Sequence, residues 1–167
     1  RRRRIGRVHS AGVPNPVILP QVRELPVVRP MRRILLATDL SAASENATSH
    51  AITLAHELGA ALLVVSVIDP DIRTAPPGRV ERMDQRRAAR EAAAQALVLR
   101  GRQAGVTVSF LVWEGAPGPS IVDAARSESA DLVVVGTRGL GAAKRLLMGS
   151  VSTKVVQEAP CDVLVVR

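Results

Sequence analysis

Five runs of mainly apolar residues divide the chain, and each is four to eight residues long. Runs of this length are typical of buried β-strands. The longest run, Ala61–Ile68, is interrupted only by Ser66, which favours a strand of a parallel sheet covered on both faces. The predicted strands are Ile34–Ala37, Ala61–Ile68, Val106–Trp113, Leu132–Val135 and Val163–Val166.

Helical spacing of apolar residues predicts a helix after the first strand. Either Ser41 or Ser44 can cap its start, and Gly59 is a stop signal at its end. Its apolar positions are Ala47, Ala51, Leu54, Ala55 and Leu58. The segment therefore predicts a helix with one face on the sheet.

Three further helices are predicted. The segment from Glu81 to about Gly101 is rich in Ala and Arg, and the charges along it are interpreted as a solvated face. A turn is predicted at Gly115–Pro119, followed by a helix through Ala125 whose cap is Ser120 with Asp123. The last helix begins at Gly149-Ser150 and ends before Pro160.

Strands and helices alternate along the whole of residues 31–167. This alternation predicts an α/β protein in which right-handed βαβ units build an open, five-stranded parallel sheet with helices on both faces. Ligands of such sheets bind beyond the carboxyl ends of the strands, where the strand order reverses.

A glycine-rich loop connects the fourth predicted strand to the last helix. Glycines occupy positions 136, 139, 141 and 149, and the loop also carries Arg138, Lys144 and Arg145. Glycines let a loop bring backbone N–H groups onto one anion, and the basic side chains add favourable charge. The sequence thus predicts a phosphate-bearing ligand between Gly136 and Ser150.

The spacing of this loop resembles the nucleotide-binding signature of the ATP-binding universal stress proteins. Two residues separate Gly136 from Gly139, and nine separate Gly139 from the Gly149-Ser150 pair. RRILLATDLS (residues 32–41), VVSVIDP (Val64–Pro70) and PCDVLVV near the carboxyl terminus resemble other landmarks of the family, in the family's order. The resemblance covers Met31–Arg167 and implies a Rossmann-like sheet of the adenine nucleotide alpha hydrolase type, with strand order 3-2-1-4-5.

The resemblance implies ATP with Mg²⁺ as the ligand, in a crevice between the first and fourth strands. It places Asp39 at the nucleoside and gives the backbone of Val67 to the adenine. Capping of the first helix is the alternative role for Asp39, and Ser150 is a good N-cap with or without a phosphate. The implied nucleotide-binding residues are Ala37, Thr38, Asp39, Val67, Gly136, Thr137, Arg138, Gly139, Gly149, Ser150, Val151 and Ser152.

Composition separates the chain into two regions. Residues 1–30 hold seven Arg against one acid and five of the eleven prolines, which predicts an extended or disordered basic arm. Arg1–Arg4 could contact nucleic acid or an acidic surface, although a solvated tail is the simpler interpretation. The arm could be native, the remnant of a larger protein or an upstream translation artefact, because Met31 directly precedes the first strand. Residues 31–167 carry a net charge of only +2 and form the predicted domain.

The remaining composition favours a cytoplasmic protein. Cys161 is the single cysteine and cannot form an internal disulfide, which is typical of a reducing compartment. No apolar run approaches the roughly 20 residues that span a bilayer, and no apolar core follows the basic amino terminus as in a secretory signal. We expect Cys161 to be a buried structural thiol.

Three function classes follow. The first is a nucleotide-sensing or regulatory binding protein, for which the family resemblance implies a role in stress response. The second is a slow ATPase, although no motif supplies an obvious base for activating water, and no metal set is completed by His50 and His56. The third is a homodimeric interaction module without a working site, since the edge of the last strand, Val163–Val166, can pair with a second copy.

Overall fold

The computed structural model describes residues 30–69, 79–137 and 148–167. The predicted arm therefore lies, apart from Pro30, outside the described residues. The strands are β1 (Arg33–Ala37), β2 (Ala61–Ile68), β3 (Val108–Glu114), β4 (Leu132–Gly136) and β5 (Asp162–Val166). The helices are α1 (Glu45–Leu58), α2 (Arg79–Gln103), α3 (Pro117–Ser127) and α4 (Ser150–Glu158).

The five strands form one parallel sheet in the order β3-β2-β1-β4-β5. This confirms both the α/β class and the strand order that the family resemblance implied. β1 lies at the centre, between β2 and β4, because the chain reverses direction across the sheet after β3. The carboxyl ends of β1 and β4 therefore lie side by side at the reversal.

Two hydrophobic clusters cover the two faces of the sheet. Side chains of α1 and α2 pack against one face, and side chains of α3 and α4 against the other. Ile34 and Leu36 point to the first face and Leu35 to the second, and all three are fully buried. Because β1 is buried on both faces, its sequence is a continuous apolar run, as the pattern indicated.

The helix starts differ in part from the sequence prediction. α3 begins at Pro117, within the segment predicted as a turn, and its N-cap is Ala116 rather than Ser120. Proline suits the first helical turn because the N–H that it lacks has no partner inside the helix. Ser41 is the N-cap residue of a 3-10 turn, Ala42–Ser44, and Ser44 is the N-cap residue of α1, as predicted, but neither side chain makes a capping hydrogen bond.

The predicted solvated face of α2 is confirmed for Arg87, which is exposed, but it is wrong for Arg90, which is half-buried. Ala94 and Leu97 of the same helix pack on the core, and both arginines reach the ends of strands. Arg87 pairs with Glu114 at the end of β3 at 3.0 Å, and Arg90 bonds to Ser66 of β2 and to Asp39, which follows β1. The spacing of charges along α2 did not reveal these contacts.

No described helix is long and apolar enough to cross a membrane.

Asp131 ties the sheet together at its amino end. Its Oδ2 accepts hydrogen bonds from the backbone N–H groups of Arg32 at 2.7 Å and Arg33 at 2.9 Å. These two bonds favour the ionised carboxylate and lower the pKa of Asp131 below its usual range. The start of β4 is thereby fixed to the start of β1.

Asp131→Asn should destabilise the protein at neutral pH by about 1 kcal/mol, since the bonds are solvent-accessible. A lowered pKa adds stability that is complete above the unfolded value of about 3.9 and is lost as pH falls through the folded pKa. The difference in unfolding free energy between parent and variant should therefore shrink below about pH 4. Urea unfolding from pH 7 to pH 3 measures it. The control is Asp162→Asn, at an exposed carboxylate nearby, and an equal loss in both variants would contradict the prediction.

Gly101→Ala should also destabilise the protein, although alanine is the better helix former by about 1 kcal/mol. A Cβ at Gly101 would lie 2.4 Å from Cγ2 of Val108, a buried side chain of β3 that has little room to move. Overpacking of this kind costs about 1–3 kcal/mol. Urea unfolding of the parent, both single variants and the double variant with Val108→Ala tests this contact, because removing the valine methyls should remove most of the cost. Additive effects would show that the two positions do not collide.

Candidate functional site

A cavity of about 880 Å³ lies at the carboxyl ends of β1, β2 and β4. This is the place where the strand order reverses, so that topology and sequence motif indicate the same position. Its lining comes from the ends of β1, β2 and β4, from the segments that follow β1 and β2, and from α2, α3 and α4: Ala37, Thr38, Asp39, Ser44, Val65, Val67, Ile68, Asp69, Arg86, Ala89, Arg90, Pro117, Ile121, Val135, Gly136, Gly149, Ser150, Val151 and Ser152.

A network of hydroxyl groups shapes the cavity wall after β1. Thr38 Oγ1 donates to Ser44 Oγ at 2.8 Å, and Ser44 Oγ donates to the carbonyl of Ser41 at 2.8 Å. Thr38 Oγ1 also accepts from the N–H of Leu40 at 2.9 Å. Leu40 has a φ of 57°, a left-handed conformation that costs a non-glycine residue about 1–2 kcal/mol. The turn is therefore a strained one that its side-chain hydrogen bonds stabilise.

Asp39 lies at the centre of this turn and lines the cavity. Its Oδ1 accepts from the N–H of Ser41 at 3.1 Å and from Ser41 Oγ at 2.7 Å. These bonds form an Asx turn that leads into the 3-10 turn, which is a local role close to the capping alternative. Contact with a nucleoside stays a prediction, and the two roles are compatible because Asp39 is also exposed to the cavity.

The start of α4 forms the opposite wall. Gly149 is the N-cap, with a φ of −64°, and Ser150 is the first helical residue rather than the cap. The N–H of Gly149 donates to the carbonyl of Thr137 at 2.9 Å, and Ser152 Oγ donates to the carbonyl of Gly136 at 2.6 Å. These bonds fix the start of α4 against the end of β4, so that the first N–H groups of the helix lie at the cavity.

A glycine at position 149 is not required by the fold itself. Its φ is ordinary, and an added Cβ would lie 3.4 Å from the carbonyl oxygen of Thr137, an ordinary contact. The role predicted from the sequence for this glycine, the close approach of a ligand, stays a prediction.

Most of the predicted site residues meet at the cavity. Thr137 does not line it, and instead its N–H donates to the carbonyl of Val166 at 2.8 Å. Arg138 and Gly139, with the further loop residues Gly141, Lys144 and Arg145, lie outside the described residues. The predicted residues at the cavity are Ala37, Thr38, Asp39, Val67, Gly136, Gly149, Ser150, Val151 and Ser152.

Sequence reasoning missed the wall that α2 contributes. Arg86, Ala89 and Arg90 lie on one face of the helix, at positions separated by three and four residues, and line the cavity. Arg90 Nη1 donates to Ser66 Oγ at 2.9 Å and to the carbonyl oxygen of Asp39. Ser66, the single polar residue in the run of β2, was the one signal that a polar partner was needed there.

The cavity is mixed in charge and lacks aromatic side chains among its described lining residues. Arg86 and Arg90 supply positive charge, and Asp39 and Asp69 supply carboxylates. The apolar part consists of Val67, Ile68, Pro117 and Ile121, with a few neighbouring aliphatic residues. Such a surface can accept a planar ring at its aliphatic side and anionic groups at the start of α4.

Other chemically capable residues lie away from the cavity. His50 Nδ1 is 2.8 Å from the carbonyl oxygen of Asn46 in its own helix. Cys161 is half-buried rather than fully buried, and burial, with smaller contributions from the charges of Asp162 and Asp131, raises the pKa of its thiol. A raised pKa keeps the thiol protonated and poorly nucleophilic. Within the described ranges, no group of three or more His, Cys, Asp or Glu side chains is placed to hold a metal ion.

Comparisons with known proteins agree on one family. The model of the universal stress protein family matches residues 30–167. A universal stress protein of Thermus aquaticus, named for its position beside a sulfhydrylase gene, is 41% identical in a match of 144 residues, and the match covers 81% of this chain and 98% of the relative.

Two solved structures extend the likeness to three dimensions. The universal stress protein UspA from Lactobacillus plantarum has a TM-score of 0.77 and 27% identity, and the match covers 84% of this chain and 100% of that one. A universal stress protein crystallised in complex with cAMP has a TM-score of 0.66 and 27% identity, covering 83% of this chain and 99% of that one.

Proposed function

This chain belongs to the universal stress protein family, and on that basis we propose that it is a regulatory protein of the stress response that binds an adenine nucleotide. The proposed ligand is ATP with Mg²⁺, and the proposed site is the cavity at the carboxyl ends of β1, β2 and β4. The observation that carries the proposal is that three features line one cavity. They are the start of α4, the carboxylate of Asp39 and the last residues of β2, which extend past the end of β1.

The phosphates would bind at the start of α4. The helix has nine residues, its N-cap is Gly149, and its first residues Ser150 and Val151 line the cavity. Unpaired N–H groups and the positive end of the helix dipole favour an anion at such a position. The fold does not require glycine at the N-cap, which supports a role in ligand approach.

The adenine would bind beside the end of β2. β1 ends at Ala37, opposite Val65, whereas β2 continues to Ile68. The carbonyl of Val65 accepts from the N–H of Thr38, so the backbone groups of Val67, two residues later, point to the same side. Since β1 has already ended there, it offers Val67 no strand partner, and an adenine edge could bond to these groups.

The ribose and the metal would lie near the carboxylates. Asp39 lines the cavity between the two proposed ends of the ligand, and Asp69 follows β2 at the same rim. Carboxylate oxygens suit Mg²⁺, which proteins usually hold through one or two carboxylates together with substrate phosphates. The residues present therefore fit Mg²⁺ carried by the nucleotide, and the metal would supply charge compensation for the phosphates.

Three further features belong to the proposal. Residues 31–167 form the nucleotide-binding domain, and residues 1–30 form a separate basic arm. The single cysteine supports a reducing, cytoplasmic location. The protein is also proposed to dimerise, since β5 pairs with β4 on one side only within the described chain, and its residues 163–165 are partly exposed.

ATP binding is tested by calorimetric titration of the full chain with Mg²⁺ present, with AMP and cAMP in parallel. We expect a dissociation constant in the micromolar range for the parent protein. The double variant Gly149→Val with Ser150→Ala should lose binding, because the valine side chain blocks the start of α4 and the alanine removes the hydroxyl of Ser150. Ser109→Ala, at an exposed position in β3, should bind as the parent does. Absence of binding of all three nucleotides by the folded parent would contradict the proposal.

Dimer formation is tested by light scattering at micromolar concentration, where we expect about twice the chain mass of 17.7 kDa. The carbonyl of Val166 bonds toward β4, so the N–H of Val163, three residues earlier, points outward along the free edge. Val163→Pro removes that outward donor without removing a bond to β4, and should yield the monomer. A parent protein that scatters as a monomer would contradict pairing through β5.

A further inference from the structure

Arg90 connects three elements at the cavity. It lies on α2, and its Nη1 donates both to Ser66 Oγ of β2 at 2.9 Å and to the carbonyl oxygen of Asp39, just after β1. One nitrogen with two hydrogens serves both acceptors, so this arm of the guanidinium is fully used. Arg90 is half-buried and lines the cavity, which places these bonds at its wall.

Ser66 indicates that the contact is built into the interior. It is fully buried, and it is the only polar residue in β2. A buried hydroxyl needs a hydrogen-bond partner, and Arg90 supplies one. A guanidinium that donates to a buried hydroxyl is held in a fixed direction, here toward the main chain of Asp39.

The main chain of Asp39 needs such support. The residue after it, Leu40, has a φ of 57°, and the bonds from Leu40 and Ser41 restrain the turn on its other side. Strained backbone persists only where its surroundings determine it, and it commonly occurs at binding sites. Arg90 reaches this turn from α2, across the carboxyl ends of the strands, and its Nη1 donates to the carbonyl oxygen of Asp39.

We propose that Arg90 is a positioning residue of the nucleotide site: by holding the carbonyl of Asp39, with Ser66 orienting its guanidinium, it sets the position of Asp39 at the ligand. This inference rests on the proposed function, since it assigns a residue to the same site. Arg90 acts through Asp39 and is not itself the ligand contact. Arg86, one turn earlier on the same face of α2, makes no hydrogen bond to the described residues and is not part of this mechanism.

The experiment measures ATP affinity by calorimetry, with Mg²⁺, for the full chain and the variants Arg90→Met, Arg90→Lys and Ser66→Ala. Arg90→Met should weaken binding roughly tenfold, the value of one charge-assisted hydrogen bond. Ser66→Ala, which removes no charge, should weaken binding in the same direction by about threefold. Arg90→Lys keeps the charge but not the directed fork, and should fall between Arg90→Met and the parent.

The control is Arg102→Met, which removes the same charge from an exposed position near the end of α2. It should bind ATP as the parent does. Thermal unfolding of every variant shows that it is folded, and a role in stability alone would lower the melting temperature without changing ATP affinity. Should Arg90→Met fail to fold, Arg90→Lys and Ser66→Ala carry the test.

Two results would overturn the inference. Unchanged affinity in the folded Arg90 and Ser66 variants would show that Arg90 does not affect the site. Weaker binding by Arg90→Met with unchanged binding by Ser66→Ala would show that the charge acts on the ligand directly. A parent that binds no adenine nucleotide would instead contradict the proposed function, and this result is seen before any variant is measured.

Discussion

The lengths of β1 and β2 are the constraint from which the cavity arises. The two strands pair residue by residue until Ala37 lies opposite Val65, and there β1 turns away while β2 continues for three residues. The strand on the other side of β1, β4, ends at Gly136, beside the start of α4. A central strand that ends before its two neighbours leaves backbone polar groups of those neighbours beyond its end, and these groups must find partners in a turn, a helix start or a ligand.

The protein satisfies these groups in two ways. Around Asp39, short hydroxyl and carboxylate side chains bond to the turn itself, so that a strained segment is held by Thr38, Ser41 and Ser44. At the end of β4, the carbonyl of Gly136 accepts a hydrogen bond from Ser152 Oγ, and the carbonyl of Thr137 accepts one from the N–H of Gly149, the N-cap of α4. The first arrangement is closed and local, whereas the second leaves the first N–H groups of a helix facing open space, which is where an anion is most favourable.

The hydrophobic pattern is sufficient to predict the five strands, but the position of the cavity depends also on their order in the sheet. Strands buried on both faces are almost continuously apolar, so the hydrophobic pattern along the chain predicts the strands Leu132–Val135 and Ala61–Ile68. The family resemblance supplied the strand order, which no local pattern contains. The predicted start of α3 is wrong because prolines such as Pro117 and Pro119 indicate a turn in the sequence, whereas proline is also common in the first turn of a helix.

The contribution of α2 could not be predicted for a different reason. Its arginines are spaced as on a solvated helix, and whether Arg90 meets Ser66 depends on how far the helix is rotated and translated over the sheet. Those quantities are set by the packing of Ala94 and Leu97 on the core, not by residues near Arg90. A single polar residue in an apolar strand predicts that its side chain has a hydrogen-bond partner, but it does not identify the residue that provides it.

The bond between Asp131 and the first strand has a consequence for how this domain can change. It joins β4 to β1 at the amino end of the sheet, a full strand length away from the cavity at the carboxyl end. The bonds that hold these two strands together at Asp131 and the proposed ligand site therefore lie at opposite ends of the sheet. Residues at the cavity end can therefore be substituted without breaking the hydrogen bonds of Asp131, which keep β1 and β4 in register. Protein design could use this separation to change which ligand the cavity binds while leaving the amino end of the sheet unchanged.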